Sequence, residues 1–352
     1  LAADIELVNQ LCNNSVNVGK LSDILMRLLL AWFYRVLFAA TASVVIFTPA
    51  QAQWQREAFN TLGTQAYIEF WLADTEQAKQ LIVDVQAEFE RINQLMSPYI
   101  ANSELSKLNR QAASAPVTVS AELYYLLQQA KHISTLSNGA FDITFASVGF
   151  YYDYRAHKKP STAQLQLARQ YVNYQSIQLL PNNQVSFAQP GVKIDLGGIA
   201  KGYAVELGIR LLAERGIEHA QLTAGGDSRL LGDKRGRPWL VGIKHPRQED
   251  KYAAQLPLEN SAISTSGDYE RYFIEEGVRY HHIIDPNTGQ SANGLFSVTV
   301  TGADTTQTDA LSTTLFVLGL QAGMALIEQI PGYEAIFIDT ERKMHVSSGL
   351  SQ

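Results

Sequence analysis

Residues 192–206 (VKIDLGGIAKGYAVE) restrict the possible folds more than any other stretch. Val192, Ile194 and Leu196 alternate as in a half-buried strand, while Ile199, Tyr203, Leu207 and Leu211 recur every fourth residue as one face of a helix. Gly197-Gly198 therefore joins a strand to a helix. A glycine pair at such a junction lets the backbone approach a ligand, and the helix start behind it offers N–H groups and a partial positive charge suited to phosphate. The alternative is a plain tight turn, with Lys201 as a solvated helix residue. The stretch lacks the Lys-Ser/Thr ending of a P-loop and the three spaced glycines of a dinucleotide fingerprint.

A chain of 352 residues, 46% of them hydrophobic, buries a sizeable core as one large domain or two interlocked halves. The formal net charge of -6 supplies no global basic field, which argues against nucleic acid as a partner. Cys12 is the only cysteine, so neither an intrachain disulfide framework nor a Cys-rich metal site is available. Met26-Arg27 opens an apolar run that Arg35 alone interrupts before residues 36–47 and the ending Ala50-Gln51-Ala52. That is the charged start, apolar middle and A-x-A end of a secretory signal, with cleavage predicted between Ala52 and Gln53 and residues 1–25 as an upstream extension. An uncleaved membrane anchor is the alternative reading.

Along the chain, residues 64–72 read as a strand and 75–96 as a long amphipathic helix with apolar residues at 78, 81, 82, 85, 89, 92, 95 and 96. Ser97-Pro98 stops it, and Tyr99 lies just beyond, as a core or a ligand-facing ring. A short helical turn spans 103–108, and a second helix runs from about 121 to 136 behind Ser120 as N-cap. Ala140-Phe141-Asp142 follows its Asn138-Gly139 stop, where an Asp serves as a turn residue or an aromatic suits a flat ring ligand. Residues 149–160, aromatic and basic together, read as an exposed, variable loop, with a ligand-lining segment as the alternative. A second Gly-Gly precedes Asp227, and residues 260–267 are small enough to bring backbone close to a ligand.

His281 and His282 are adjacent, so on a strand they face opposite ways and at most one faces a given site. The Asp285-Pro286-x-x-Gly turn after them favours a positioned acid or base. On a helix, Asp309 and Thr313 share one face, where a carboxylate and a hydroxyl beside phosphate suit Mg²⁺. The alternative is that Asp309 caps the helix and Thr313 bonds back to a carbonyl. A strand at 335–339 ends the core, and no internal repeat is present.

Taken in order, GAFDIT, IDLGGIAKGYAVE, STSGDYERY, HHIIDPNTG and DALSTTLFVLG resemble the FAD:protein FMN transferase (ApbE) family, over about 61–339. The resemblance implies an α+β fold with mixed β-sheets, flanking helices and two interlocked lobes holding the flavin in the cleft. It implies that FMN is moved from FAD, with Mg²⁺ on the pyrophosphate, to a Thr hydroxyl of a periplasm-facing redox subunit, and that AMP is released. By the same resemblance, Tyr99, Ala140, Phe141, Asp142, Asp195 and Lys201 match FAD-contacting positions. Gly198, through its carbonyl, joins Asp309 and Thr313 around the metal, and His282 matches the acid–base residue. The usual Met-Gly-Thr is Leu62-Gly63-Thr64 here, which leaves Leu62 as a hydrophobic cover for the flavin. Thr223 and Ala224 stand before the second Gly-Gly-Asp, where Asn is common. The expected location is periplasmic, with inner-membrane association if the signal stays uncleaved. FAD pyrophosphatase activity and a flavin-binding protein without turnover are the competing readings.

Overall fold

The computed structural model describes residues 18–41 and 52–351, apart from 249. The part of the predicted export signal at 42–51 lies outside the described residues. The chain divides into two units between Gln51 and Ala52. The first contains helix α1 (Val18–Thr41), so the apolar run is helical as far as Thr41 and its helix begins upstream of Met26.

The second unit contains every motif that bears on function. In chain order its strands are β1 (Gln53–Thr61), β2 (Thr64–Leu72), β3 (Val117–Thr118), β4 (Ile177–Leu180), β5 (Gln184–Phe187), β6 (Ala220–Ala224), β7 (Asp227–Leu231), β8 (Trp239–Lys244), β9 (Tyr252–Leu258), β10 (Ala262–Gly267), β11 (Tyr272–Glu275), β12 (Val278–His281), β13 (Leu295–Gly302), β14 (Glu334–Asp339) and β15 (Met344–Val346). Its helices are α2 (Thr75–Met96), α3 (Glu104–Gln111), α4 (Ala121–Leu136), α5 (Ala146–Gly149), α6 (Thr162–Arg169), α7 (Ala200–Glu214) and α8 (Thr305–Ile327). Eight strands form the main sheet in the order β1-β2-β6-β7-β10-β13-β14-β15, with β3-β5-β4, β8-β9 and β11-β12 as small separate sheets. The class is α+β, and neighbouring strands of the main sheet run antiparallel throughout.

Helix α2 follows its sequence pattern closely. Ala78, Leu81, Val85, Phe89, Ile92 and Met96 are buried, and the Asp74 side chain accepts the first-turn N–H groups of Glu76 and Gln77. Helix α4 starts behind Ser120, whose hydroxyl accepts the N–H of Leu123. At the β1–β2 hairpin, Leu62 (φ 48) and Gly63 (φ 70) both take left-handed backbone between the paired residues Thr61 and Thr64. A two-residue turn of that kind twists with the strands it joins.

Helix α8 is the central helix of the site. By length and composition it would pass as a membrane span. Here it packs on β10, β13 and α7 and buries Ala310, Leu311, Leu315 and Phe316, as a core helix does. It breaks at Gly319 (φ 75, ψ 178). Within the small-residue segment 260–267, Ala262–Gly267 form strand β10, and their hydroxyls hold this helix down. Ser264 Oγ meets Thr308 Oγ1 at 2.8 Å, and Ser266 Oγ meets Ser312 Oγ at 2.9 Å.

Residues 192–196 alternate in burial as the sequence predicts, with Val192, Ile194 and Leu196 inside, yet they join no strand ladder. The side chain of Asn109 replaces the neighbouring strand: its Nδ2 donates to Ile194 O and its Oδ1 accepts from Ile194 N, both at 2.8 Å. The Asp195 N–H donates to Ile143 O at 3.0 Å, which ties the segment to the 140–143 turn.

Candidate active site

The Gly197-Gly198 turn delivers the chain into α7, whose first residues meet α8 side by side. Oδ2 of Asp309 accepts the N–H of Gly202 at 2.9 Å. The contact needs glycine, because a Cβ at 202 would lie 2.2 Å from Thr305 O and 2.7 Å from Asp309 Cβ. Part of the positive helix end that the sequence assigned to phosphate therefore holds a carboxylate of the chain itself. The N–H groups of Gly198 and Lys201 meet no acceptor among the described residues.

Asp309 does not cap α8; Asp304 does, through its bond from Gln307 N. Nor does Thr313 bond back to a carbonyl, a role that falls to Thr314 with Ala310 O. The Thr313 hydroxyl pairs with Ser266 Oγ at 3.1 Å and would lie 3.5 Å from a Cβ built at Gly198. Gly198 and Thr313 are thus neighbours, with Asp309 one helical turn earlier on the same face. Phe141 completes this corner, its ring 3.3 Å from the same Cβ position.

Lys201 lies between two buried carboxylates. Its Nζ is 2.6 Å from Asp227 Oδ2 and 3.4 Å from each oxygen of Asp309. Burial opposes the ammonium, but Asp227 and Asp309 outweigh it and hold the lysine pKa above its ordinary value. Burial, followed by the charge of Asp227, pushes the Asp309 carboxyl upward. Added positive charge at this corner would relieve that strain.

The two histidines separate as adjacent residues should. His281 is buried, edge-on to Phe316, and donates from Nε2 to Ala292 O at 2.7 Å while Nδ1 accepts from Ile283 N, so its ring is held neutral within the core. His282 turns the other way, into the positive field of Arg271 and Lys201. Burial, then those charges and His281, lower its pKa to about 3, and its buried Nδ1 has no partner among the described residues. The imidazole is therefore neutral in the ligand-free chain, and negative charge arriving beside it would raise its basicity.

The remaining expected residues surround this centre. Asp195 accepts from Gly197 N at 2.7 Å, and its carboxyl is raised by burial. Tyr99 stands 82% exposed, and the charges of Asp195 and Arg271 act on its hydroxyl. Ala140, Phe141 and Asp142 are all buried, but the Asp142 carboxylate is engaged within the chain. It accepts from Thr144 N at 2.8 Å, Thr144 Oγ1 at 2.6 Å and Tyr174 N at 2.8 Å. These bonds fix the turn that carries Phe141. Leu62 packs on the main core, so the hydrophobic cover expected of it faces inward at least in part.

A family model described as the ApbE family matches residues 62–337. The chain belongs to the ApbE family. Among its relatives, the FAD:protein FMN transferase of Vibrio cholerae is 34% identical over 302 residues, covering 82% of this chain and 89% of that one. The FAD:protein FMN transferase of Treponema pallidum is 35% identical over 272 residues, covering 71% and 74%. Among solved structures, the ApbE protein of Thermotoga maritima superposes with a TM-score of 0.78 at 33% identity, over 85% of this chain and 98% of its own. The flavin transferase ApbE of Vibrio cholerae gives 0.77 at 30%, over 86% and 99%.

Two residues of this ApbE-family site escaped the sequence reading. Asp227 is buried against Lys201, and the second Gly-Gly-Asp was the signal that pointed to it. Arg271 bonds from Nη2 to Gly63 O at 3.1 Å, and its own carbonyl accepts the His282 N–H. It lay inside STSGDYERY with nothing local to mark it. The aromatic loop at 149–160 is mostly exposed, as read, with Tyr152 and Tyr154 stacked at 5.7 Å and turned toward Phe273.

Proposed function

We propose that this chain is a Mg²⁺-dependent FAD:protein FMN transferase whose acceptor is a Thr hydroxyl on a periplasm-facing redox protein subunit. The observation that carries the reading is the convergence of Gly198, Lys201, Asp309 and Thr313 on one corner, with His282 in the field of Lys201. The relatives' shared name supplies the reaction class.

The donors Asp309, Thr313 and Gly198 O are hard oxygens, which suits Mg²⁺. No group of three or more His, Cys, Asp or Glu able to hold a metal occurs among the described residues, so phosphate and water must complete the shell. When bound, the metal neutralises diphosphate charge and stabilises the transferring phosphoryl group. Lys201 and the free N–H groups of Gly198 and Lys201 bind phosphate oxygens. The Phe141 ring lies over the same corner, where it borders a bound flavin nucleotide. His282 takes the proton as the Thr oxygen bonds to the FMN phosphorus, the P–O bond to AMP breaks, and AMP leaves with the electron pair. The negative charge of the diphosphate raises the pKa of His282 toward the working range of a base. Export to the periplasm is inferred from the signal pattern around Met26–Ala52.

Incubation with FAD, Mg²⁺ and candidate acceptor subunits tests this function. In-gel flavin fluorescence on the acceptor together with AMP release is expected, and His282→Ala should keep FAD binding and lose labelling. Free FMN and AMP without labelled protein would replace transfer by hydrolysis, and intact FAD would leave a binding protein.

A further inference from the structure

We propose that Lys201 is the resident counter-ion of the Asp227–Asp309 carboxylate pair in the ligand-free chain, and that Asp227 is the positioning residue that keeps its ammonium when a divalent cation takes Asp309. This rests on the metal-and-diphosphate reading of the same corner.

Both carboxylates are nearly sealed from solvent, with side-chain exposures of 2% and 4%. Two such charges need a cation, and the chain provides one. The contacts are unequal. Nζ makes a short hydrogen bond of 2.6 Å to Asp227, whereas both Asp309 oxygens stand off at 3.4 Å. Asp309 Oδ2 also has the Gly202 N–H at 2.9 Å, which leaves Oδ1 with the distant ammonium as its one polar contact among the described residues. Oδ1 is thus available, but under the field of a charge that repels a metal.

Asp227 is the fixed member of the group. Its Cα pairs with Ala224 and with Ser264, so two strands hold it. The turn before it is pressed onto β10, where a Cβ at Gly226 would lie 2.5 Å from Thr265 O. Lys201, on the first turn of α7, carries a flexible four-carbon stem and is the member able to move. A divalent cation on Asp309 drives the ammonium away, and Asp227 is the carboxylate left to receive it. A diphosphate adds oxygens for the same ammonium. Flavin-free protein therefore binds metal weakly, and the metal tightens as the diphosphate arrives.

The competing role for Asp227 is that of a direct metal ligand, and the two separate in a double-mutant cycle. Mn²⁺ binding by flavin-free protein, followed by electron paramagnetic resonance, is compared in wild type, Lys201→Met, Asp227→Asn and the double variant. We expect Lys201→Met to tighten Mn²⁺ about tenfold, because a nearby like charge is removed. Asp227→Asn should weaken it about tenfold, and by clearly less once Lys201 is Met. Unchanged or weaker binding in Lys201→Met overturns the counter-ion role. An Asp227→Asn effect of equal size in both backgrounds overturns the positioning role. Circular dichroism checks folding, with Lys201→Gln as the second neutral variant. Because no transfer is measured, failure here leaves the transferase reading intact; a wild type that binds neither FAD nor Mn²⁺ removes both.

Discussion

The carboxylate of Asp309 accepts the backbone N–H of Gly202 at 2.9 Å across 107 residues of sequence. This bond joins the helix that follows the Gly-Gly turn to the helix that supplies Asp309 and Thr313. Here α7 and α8 pack with no room for a side chain at 202.

Gly202→Ala should therefore separate the two helices. A methyl group 2.2 Å from Thr305 O cannot be absorbed by a rotamer change, because the obstacle is backbone. We expect a stability loss of about 3 kcal/mol, at the upper end of overpacking costs. Urea denaturation measures it, and a midpoint equal to wild type would mean that the helices part without penalty.

Asp309→Ala should lower Mg²⁺-dependent transfer on the order of 100-fold or more, the scale seen when a charge-stabilising group is lost. Thr313→Val, which removes one neutral oxygen donor, should cost less and show mainly as a higher Mg²⁺ requirement. Turnover is measured against Mg²⁺ concentration in both variants. Unchanged turnover in Asp309→Ala would remove that residue from the proposed metal site.

His282 should make the ligand-free protein acid-sensitive. Its pKa falls from the ordinary 6.5 to about 3 on folding, so between those values the unfolded chain binds the extra proton. The stability it contributes is full above pH 6.5 and is lost as pH falls toward 3. The slope from one such group is at most about 1.4 kcal/mol per pH unit. His282→Gln, which takes no proton in this range, should show a shallower decline in denaturation midpoint between pH 6.5 and 5. An identical decline would place the acid sensitivity elsewhere.

Asp142→Ala should destabilise the fold before it affects chemistry. It leaves the N–H groups of Thr144 and Tyr174 and the Thr144 hydroxyl without their acceptor. Loss of these buried bonds costs roughly 2–4 kcal/mol. Thermal melting reports it, and an unchanged melting temperature with weakened FAD binding would assign the carboxylate to the ligand instead.

Several local features were legible in the sequence. Helix α2, the Ser120 cap of α4 and the separation of His281 from His282 follow from periodicity, capping chemistry and alternation, all of which act over a few residues. The motif order in the sequence also carried the family and the α+β class. Tertiary structure alone decided which groups meet. It made Asn109 the hydrogen-bonding partner of Ile194, placed Asp227 on Lys201, and brought Arg271 to Gly63 and beside His282. It also turned an apolar helix that resembles a membrane span into the core helix that presents Asp309. The reason is physical: each of these contacts joins side chains or backbone on separate elements, and its geometry exists only after the helices and the sheet have packed.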